Sequence, residues 1–324
     1  MKHKAILTKK FGNEEIDILK NEYDLVIVED EEMALEEVIK KHRDAEILIP
    51  FLSDKIDKRI IDSLERLKII SNYAVGYNNI DYEYAGESGI YVTNTPDILT
   101  DATADLTMAL ILAVSRRIVE SDKFIRSGKF SGWGADLFLG KELRGATLGI
   151  IGLGKIGLET AKRGMGFGMN VIYYSRTRKV GSEDKYNIKY KKLNDLIKES
   201  DVISLHIPFT PDVHHMFNKN TFLAMKKNSI FINAARGAIM DENALVEVLE
   251  SGHLFGAGLD VFEFEPDVND KLKTLDNVVM TPHTGSATFR ARAGMGKIVI
   301  KNIGMAVNGD IPVNLIPELA YMIK

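Results

Sequence analysis

The chain reads as an α/β protein in which one parallel-sheet domain is inserted into another, and three observations carry that reading. Short apolar runs rich in branched side chains alternate with charged, helix-period segments from end to end, which is the pattern of βαβ units. One such run leads straight into three spaced glycines and a helical pattern, Leu148-Gly-Ile-Ile-Gly152-Leu-Gly154-Lys-Ile-Gly157. Two helical stretches, one after Asn94-Thr-Pro96-Asp97 and one after Ser286, are placed to carry the chain out of the first domain near residue 98 and back near 288. The domains are therefore expected at 1–98 plus 288–324 and at 99–287.

Composition limits the function classes. A chain of 324 residues has room for two cores, and 45% apolar with 27% charged residues is the balance of a soluble globular protein. Lysines and arginines are dispersed among acids at a net charge of −4, so no nucleic-acid-tracking stripe is expected. The absence of cysteine excludes disulfides and thiolate chemistry and suits a reducing cytoplasm. The first residues, MKHKAILTKKFGNEEID, lack a signal-type apolar core, and the longest apolar run, Leu106 to Val114, is too short to span a bilayer and is interrupted by Thr107. A cytoplasmic protein without a membrane segment is the expectation.

In the first domain the expected strands are Ala5 to Thr8, Leu25 to Val28, Ile47 to Phe51, Lys68 to Ser71 and Ile90 to Thr93. Turn residues at Gly76-Tyr-Asn78-Asn79 and Asn94-Thr-Pro96-Asp97 mark loops at carboxyl ends of strands, where open α/β sheets bind ligands. Asp97 or Thr100 would cap one long helix running to about Ile125, apolar on nearly all sides in its middle and so buried. A polar, glycine-rich loop from Gly128 to Gly140 carries the single tryptophan, Trp133. In the inserted domain the strands after the glycine run are Val171 to Tyr174, Val202 to Ile207, Ile230 to Ala234, Gly256 to Asp260 and Val278 to Met280. Asp241 caps a helix to Leu249 that stops at Gly252.

The glycine run has the spacing of a dinucleotide site. Gly152 permits the tight turn, Gly154 lets backbone N–H groups approach a pyrophosphate, and Gly157 lets helix and strand pack closely. Leu153, Lys155 and Ile156 complete the loop, and the helix N-terminus from Ile156 faces the anion. The inserted domain is thus a Rossmann-type doubly wound sheet. A sheet of this kind that prefers NAD offers a carboxylate about 20 residues on. Here no acid occurs between Thr160 and Ser182, and the second strand runs out into Ser175-Arg176-Thr177-Arg178-Lys179. A carboxylate there would repel a 2′-phosphate by a few kcal/mol at an effective dielectric near 20, whereas a guanidinium attracts it. NADP(H) is favoured on this ground, with NAD(H) the alternative, held through Ser175 above a solvated basic loop.

Three polar residues stand at ends of expected strands: Arg236 in Asn233-Ala-Ala-Arg-Gly, Glu265 in Asp260-Val-Phe-Glu-Phe-Glu-Pro, and His283 in Thr281-Pro-His-Thr-Gly. Strand-end loops of one sheet converge on one edge. Reduction of a carbonyl develops negative charge on oxygen, and an imidazolium supplies the proton near neutral pH. A neighbouring carboxylate orients such a histidine and favours its charged form, and a guanidinium grips a substrate carboxylate while polarising the carbonyl. Each has a plain structural alternative: a capped loop histidine, a helix-start surface charge, a turn acid before Pro266. Glu263 is a rival for the carboxylate role, and Asp260 either braces Arg236 or the nicotinamide amide or ends a strand. His206, before Pro208, is expected to line the cofactor site or the core. His214 and His215 have no acid or cysteine at ligand spacing along the chain, so no metal site is expected. Thr107, Ala234 and Gly285 complete the candidate cofactor contacts.

These residues resemble the D-isomer-specific 2-hydroxyacid dehydrogenase family over essentially the full chain, through Gly152-Leu-Gly-Lys-Ile-Gly157, His206-Ile-Pro208-Phe-Thr210-Pro, Asn233-Ala-Ala-Arg236-Gly, Gly258-Leu-Asp260-Val-Phe-Glu and Thr281-Pro-His283. The resemblance implies a discontinuous, flavodoxin-like substrate domain, an inserted nucleotide domain, a homodimer, and catalysis by Arg236, Glu265 and His283. It implies that the backbone of Tyr73-Ala-Val75-Gly76 binds a substrate carboxylate, that Leu52 walls the pocket, and that Trp133 is lent to the partner's site. Within the family, Asn94-Thr-Pro-Asp97-Ile-Leu-Thr-Asp-Ala-Thr-Ala-Asp105 and Tyr174-Ser-Arg-Thr-Arg178 are similar to the glyoxylate/hydroxypyruvate reductase branch. The expected substrate is then a small 2-keto or 2-hydroxy acid. The alternatives are another acid, such as 2-ketogluconate or phosphohydroxypyruvate, or a nucleotide-sensing protein like the corepressors of this fold. The chain departs from the family where Trp133-Gly-Ala-Asp136 lacks a proline and where Val213 replaces a cofactor-touching threonine.

Overall fold

A computed structural model describes residues 2–31 and 33–321. Its contacts divide the chain into two units, one made of the residues up to Leu99 and from Ser286 on, the other of Thr100–Gly285.

In the first unit five strands, β1 (Lys4–Leu7), β2 (Asp24–Ile27), β3 (Ile47–Ile49), β4 (Ile69–Ser71) and β5 (Tyr91–Thr93), form one parallel sheet in the order β2-β1-β3-β4-β5. That is the flavodoxin-like order. Strands β3 and β4 are buried at every position because helices cover both faces of a parallel sheet. The last helix, Phe289–Val307, is capped by Thr288, whose hydroxyl accepts from Ala291 N at 3.1 Å. A Cβ at Gly296 would stand 2.7 Å from Glu15 Cγ, so glycine there lets this helix close on the helix Asn13–Glu22.

The second unit holds seven parallel strands: β6 (Thr147–Ile151), β7 (Asn170–Tyr174), β8 (Lys189–Tyr190), β9 (Val202–Leu205), β10 (Ile230–Asn233), β11 (Gly256–Leu259) and β12 (Val278–Met280). Their order, β12-β11-β10-β9-β6-β7-β8, is that of a doubly wound Rossmann sheet with a seventh strand added. The order reverses between β6 and β9, the switch point where such sheets take ligands.

Two expectations need correction. The long helix to Ile125 is two helices, Thr100–Ser115 and Ile118–Arg126. The carbonyl of Ser115, which would continue the first, accepts instead from Lys141 N at 2.7 Å, and a Cβ at Gly140 would lie 2.3 Å from that oxygen. Arg117 turns the chain at φ 51° and pairs with Glu120 at the start of the second helix. Strand β8 was not expected, since its two residues lie in a lysine-rich run without alternation; a short charged strand is usual at a sheet edge. No helix among the described residues is long and apolar enough to cross a membrane.

Candidate active site

The switch point of the second unit opens into a cleft of roughly 520 Å³, lined from one side by Gly152, Leu153 and Gly154 and from the other by His206, Ile207 and Pro208. Gly152 adopts φ 98°, and a Cβ on it would meet the His206 carbonyl at 2.5 Å. A Cβ on Gly157 would lie 2.1 Å from the Gly152 carbonyl, so that glycine serves packing beneath the loop and does not line the cleft. Gly154, by contrast, has open space where a Cβ would be, at the N-terminus of the helix Lys155–Gly166. An accessible helix N-terminus beside an uncrowded backbone fits a pyrophosphate.

The far end of the cleft is formed by Tyr174, Ser175, Arg176, Thr177 and Lys179. Ser175 Oγ accepts from Leu153 N at 2.8 Å and so ties the end of β7 to the glycine loop. Arg178 is turned away, contrary to expectation. Its guanidinium grips Glu183 through Nε at 2.8 Å and Nη2 at 2.7 Å, which holds the Glu183 carboxyl down to about 2. Opposite stand Thr210, Asp212, Val213 and Met216, which the sequence did not single out as cofactor contacts, apart from Val213 as a departure. The Thr210 hydroxyl, its own backbone N–H and the charge of Arg176 keep the Asp212 carboxyl below its ordinary range. His206 is half-buried with Nε2 2.9 Å from Ser204 Oγ, and burial pushes its imidazole down to about 3. It is uncharged at neutral pH and is a wall of the cleft, not a proton donor.

The three candidate catalytic residues lie within the same unit. Asn233, fully buried at the end of β10, accepts from Ala235 N at 3.0 Å and donates to Arg236 O at 2.9 Å, which shapes the turn that presents Arg236. The next residue, Gly237, packs so closely that a Cβ would overlap the backbone of Phe262 at 1.9 Å. This contact brings the Arg236 turn onto the loop carrying Glu265. Glu265 Oε1 accepts from Phe262 N at 3.0 Å, and Oε2 lies 2.8 Å from His283 Nδ1. Burial would raise the Glu265 carboxyl, but the hydrogen bond and charge of His283, the Phe262 N–H and the charge of Arg236 outweigh it and hold it below the ordinary carboxylate range. Desolvation lowers Arg236, partly offset by Glu265. The carboxylate is thus an acceptor, His283 Nδ1–H donates to it, and Nε2 is left for chemistry.

Asp260 has a structural role as well: its buried carboxylate accepts from Thr281 Oγ1 at 2.6 Å, from Thr284 N at 2.6 Å and from Gly285 N at 2.8 Å. It therefore fixes the loop in which His283 sits at φ 53°. Glu263, the rival of Glu265, is turned to His215 Nε2 at 2.8 Å and His214 Nε2 at 3.3 Å. Thr107 is buried and donates to Thr103 O at 2.8 Å, inside its own helix. Ala234 and Ile156 are half-buried, and Lys155 is exposed. In the first unit Asn72 Nδ2 donates to Gly76 O and Asn94 Nδ2 to Val75 O, each at 2.8 Å. The Ala74 carbonyl of that loop is held as well, by Thr95 N at 2.9 Å. Leu52 is half-buried in its turn, and Trp133 is 89% exposed.

Comparison with known proteins agrees with this geometry. Residues 108–285 match the family model described as D-isomer specific 2-hydroxyacid dehydrogenase, NAD binding domain. The chain is 48% identical to a glyoxylate reductase of Thermococcus litoralis, over 98% of this chain and 97% of that protein. It is 47% identical to a glyoxylate reductase of Pyrococcus horikoshii, over 100% and 98%. The crystal structure of an NADPH-dependent glyoxylate/hydroxypyruvate reductase from Sinorhizobium meliloti in complex with NADP and malonate superposes at a TM-score of 0.88, with 29% identity over 98% of each chain. A nucleotide cleft at a Rossmann switch point, with an oriented histidine on a neighbouring loop, suits an oxidoreductase that uses a nicotinamide cofactor on a small keto or hydroxy acid. The chain belongs to the D-isomer specific 2-hydroxyacid dehydrogenase family.

Proposed function

We propose that this protein reduces glyoxylate or hydroxypyruvate to the corresponding 2-hydroxy acid, with NADPH as the preferred reductant, as a homodimer in the cytoplasm. The observation that carries the reading is the Arg236, Glu265 and His283 set, in which one carboxylate orients the histidine and shares its field with the guanidinium. The bound nicotinamide supplies the hydride that the carbonyl carbon receives. His283 Nε2 protonates the nascent alkoxide, while Glu265 fixes the ring through Nδ1. Arg236 binds the substrate carboxylate and polarises the carbonyl. In the first unit, the Val75 and Gly76 N–H groups are candidate partners for a carboxylate oxygen, and Leu52 is a candidate limit on side-chain size. The unit Thr100–Gly285 serves as the nucleotide domain and the other as the substrate domain.

The preference for NADPH rests on Arg176. With Arg178 engaged by Glu183, Arg176 is the guanidinium that lines the cleft at the end of β7, and a 2′-phosphate is where it would be used. The Sinorhizobium relative is NADPH-dependent by description. The apolar side chains of the Gly128–Gly140 loop support a homodimer: Phe130, Trp133, Leu137 and Leu139 are all exposed, and Trp133 is offered to the partner's substrate pocket. A panel of 2-keto acids, assayed with NADPH and NADH, tests the proposal. Glyoxylate and hydroxypyruvate should give the highest kcat/KM, with NADPH ahead of NADH. Arg176→Ala should cut the NADPH-to-NADH ratio about ten- to a hundredfold, the value of one or two charge-assisted hydrogen bonds. A larger keto acid at the head of the panel would reject the substrate, and an unchanged ratio in the variant would reject the role of Arg176.

A further inference from the structure

The pair His214-His215 lacks an acid at ligand spacing along the chain, but the fold supplies one. Glu263, at the far side of β11, brings Oε1 to 3.3 Å from His214 Nε2 and 2.8 Å from His215 Nε2. All three ligand atoms lie within 4.8 Å of one another. Neighbouring residues of an extended chain send their side chains to opposite sides. Here His215 adopts φ 49°, a left-handed conformation that folds its ring back on that of His214, with centroids 3.9 Å apart and planes at 19°. A single imidazole would satisfy the carboxylate; the backbone is bent so that two converge on one oxygen. Glu263 is in turn held by its own N–H, which donates to the buried Glu242 carboxylate at 2.8 Å.

We propose that His214, His215 and Glu263 form a three-ligand site for a borderline divalent cation of the Zn²⁺ or Co²⁺ type, with water completing the shell. Two imidazoles and a carboxylate are a donor set suited to such ions. Bonds of about 2.0–2.2 Å to each donor place tetrahedral ligand atoms roughly 3.3 Å apart, against 3.3 and 2.8 Å for the two histidine–Glu263 pairs. The side chain of Glu263 is 12% exposed and that of His214 48%, so the carboxylate is anchored while the site opens to solvent for entry. Glu263 shares its loop with Glu265, and His214 follows Asp212 and Val213, which line the nucleotide cleft. A bound ion would therefore cross-link the loop of Glu263 to the segment of His214 and His215. The proposal is independent of the substrate and cofactor assignments.

The experiment uses tag-free, chelator-stripped full-length protein titrated with Co²⁺, followed by visible absorption and calorimetry, with the thermal midpoint recorded alongside. One saturable Co²⁺ per chain with a tetrahedral-type visible band, displaced by Zn²⁺, is the expected result, together with a rise in midpoint from binding to the folded state. His214→Ala, His215→Ala and Glu263→Gln should each weaken binding by at least about tenfold, the lower end of what even supporting residues of metal sites cost. Exposed His214 serves as the folding control, since its truncation should leave the metal-free midpoint unchanged. Absence of saturable binding at one equivalent overturns the site, and so does Co²⁺ binding that is indifferent to the three substitutions.

Discussion

His283 has one ring nitrogen committed and one available, and the commitment is what makes it useful. With Nδ1 on Glu265 Oε2 at 2.8 Å, the ring cannot rotate to present the wrong nitrogen, and the carboxylate, held below its ordinary range, stays an acceptor for it. Both side chains stay partly open, at 30% for His283 and 36% for Glu265, as a proton donor to a bound substrate must. His283→Ala should lower kcat by about 10² to 10⁴ while leaving cofactor affinity unchanged by fluorescence titration. Glu265→Gln keeps the shape but removes the charged acceptor that orients the ring, so kcat for reduction should fall by about tenfold or more while cofactor affinity is unchanged. Wild-type turnover in either variant would refute these roles. Glu265 also contributes to stability. Because the carboxyl of Glu265 lies below its ordinary range in the folded protein, its contribution is present above the usual carboxylate pKa of about 4.3 and is lost as pH falls.

At the scale of elements, the glycines sort into those that face a ligand and those that let elements touch. Gly154 belongs to the first group, Gly157 and Gly237 to the second. Gly157→Ala pushes a Cβ to 2.1 Å from a backbone oxygen, which no side-chain movement relieves. A destabilisation of about 1–3 kcal/mol follows, or roughly 2–4 °C in Tm for each kcal/mol in a unit of this size. Gly166→Ala, in the same helix Lys155–Gly166, meets nothing within 4 Å and should be neutral or slightly stabilising. Equal melting temperatures for the two variants would contradict this account. The hinge-like stop after Ser115 is an element-scale event as well: its carbonyl bonds to a residue 26 positions later, Lys141, a partner that no local window contains.

For the whole molecule, the exposed apolar loop around Trp133 is the feature that a lone chain leaves unexplained. Light scattering behind size exclusion should return about twice the chain mass of 36.2 kDa. Phe130→Asp combined with Leu139→Asp should shift the protein toward the single-chain mass, since burying a carboxylate in an apolar interface without a partner costs several kcal/mol. If Trp133 serves the neighbouring site, the same variant should also raise KM for the keto acid. A double variant that keeps the doubled mass would remove this loop from the interface.

The strands of both sheets other than the edge strand β8, the glycine loop and the three strand-end residues were legible in the sequence, because each is set by local periodicity or by a residue type with one economical use. What the chain alone left open was decided by contacts between distant segments. Glu265 and Glu263 are two positions apart and chemically identical, so spacing could not rank them; the fold gives the first to His283 and the second to His214 and His215. Arg176 and Arg178 are equally basic in the sequence, but only the acid at Glu183, delivered by the next helix, takes Arg178 out of the cleft. Asp260 became the brace of the His283 loop because four donors from a later segment arrive at its carboxylate. The pattern of side chains thus determined which elements form and where chemistry is possible, while the pairing of charges, a matter of a few ångströms between residues far apart in the chain, was set by tertiary packing alone.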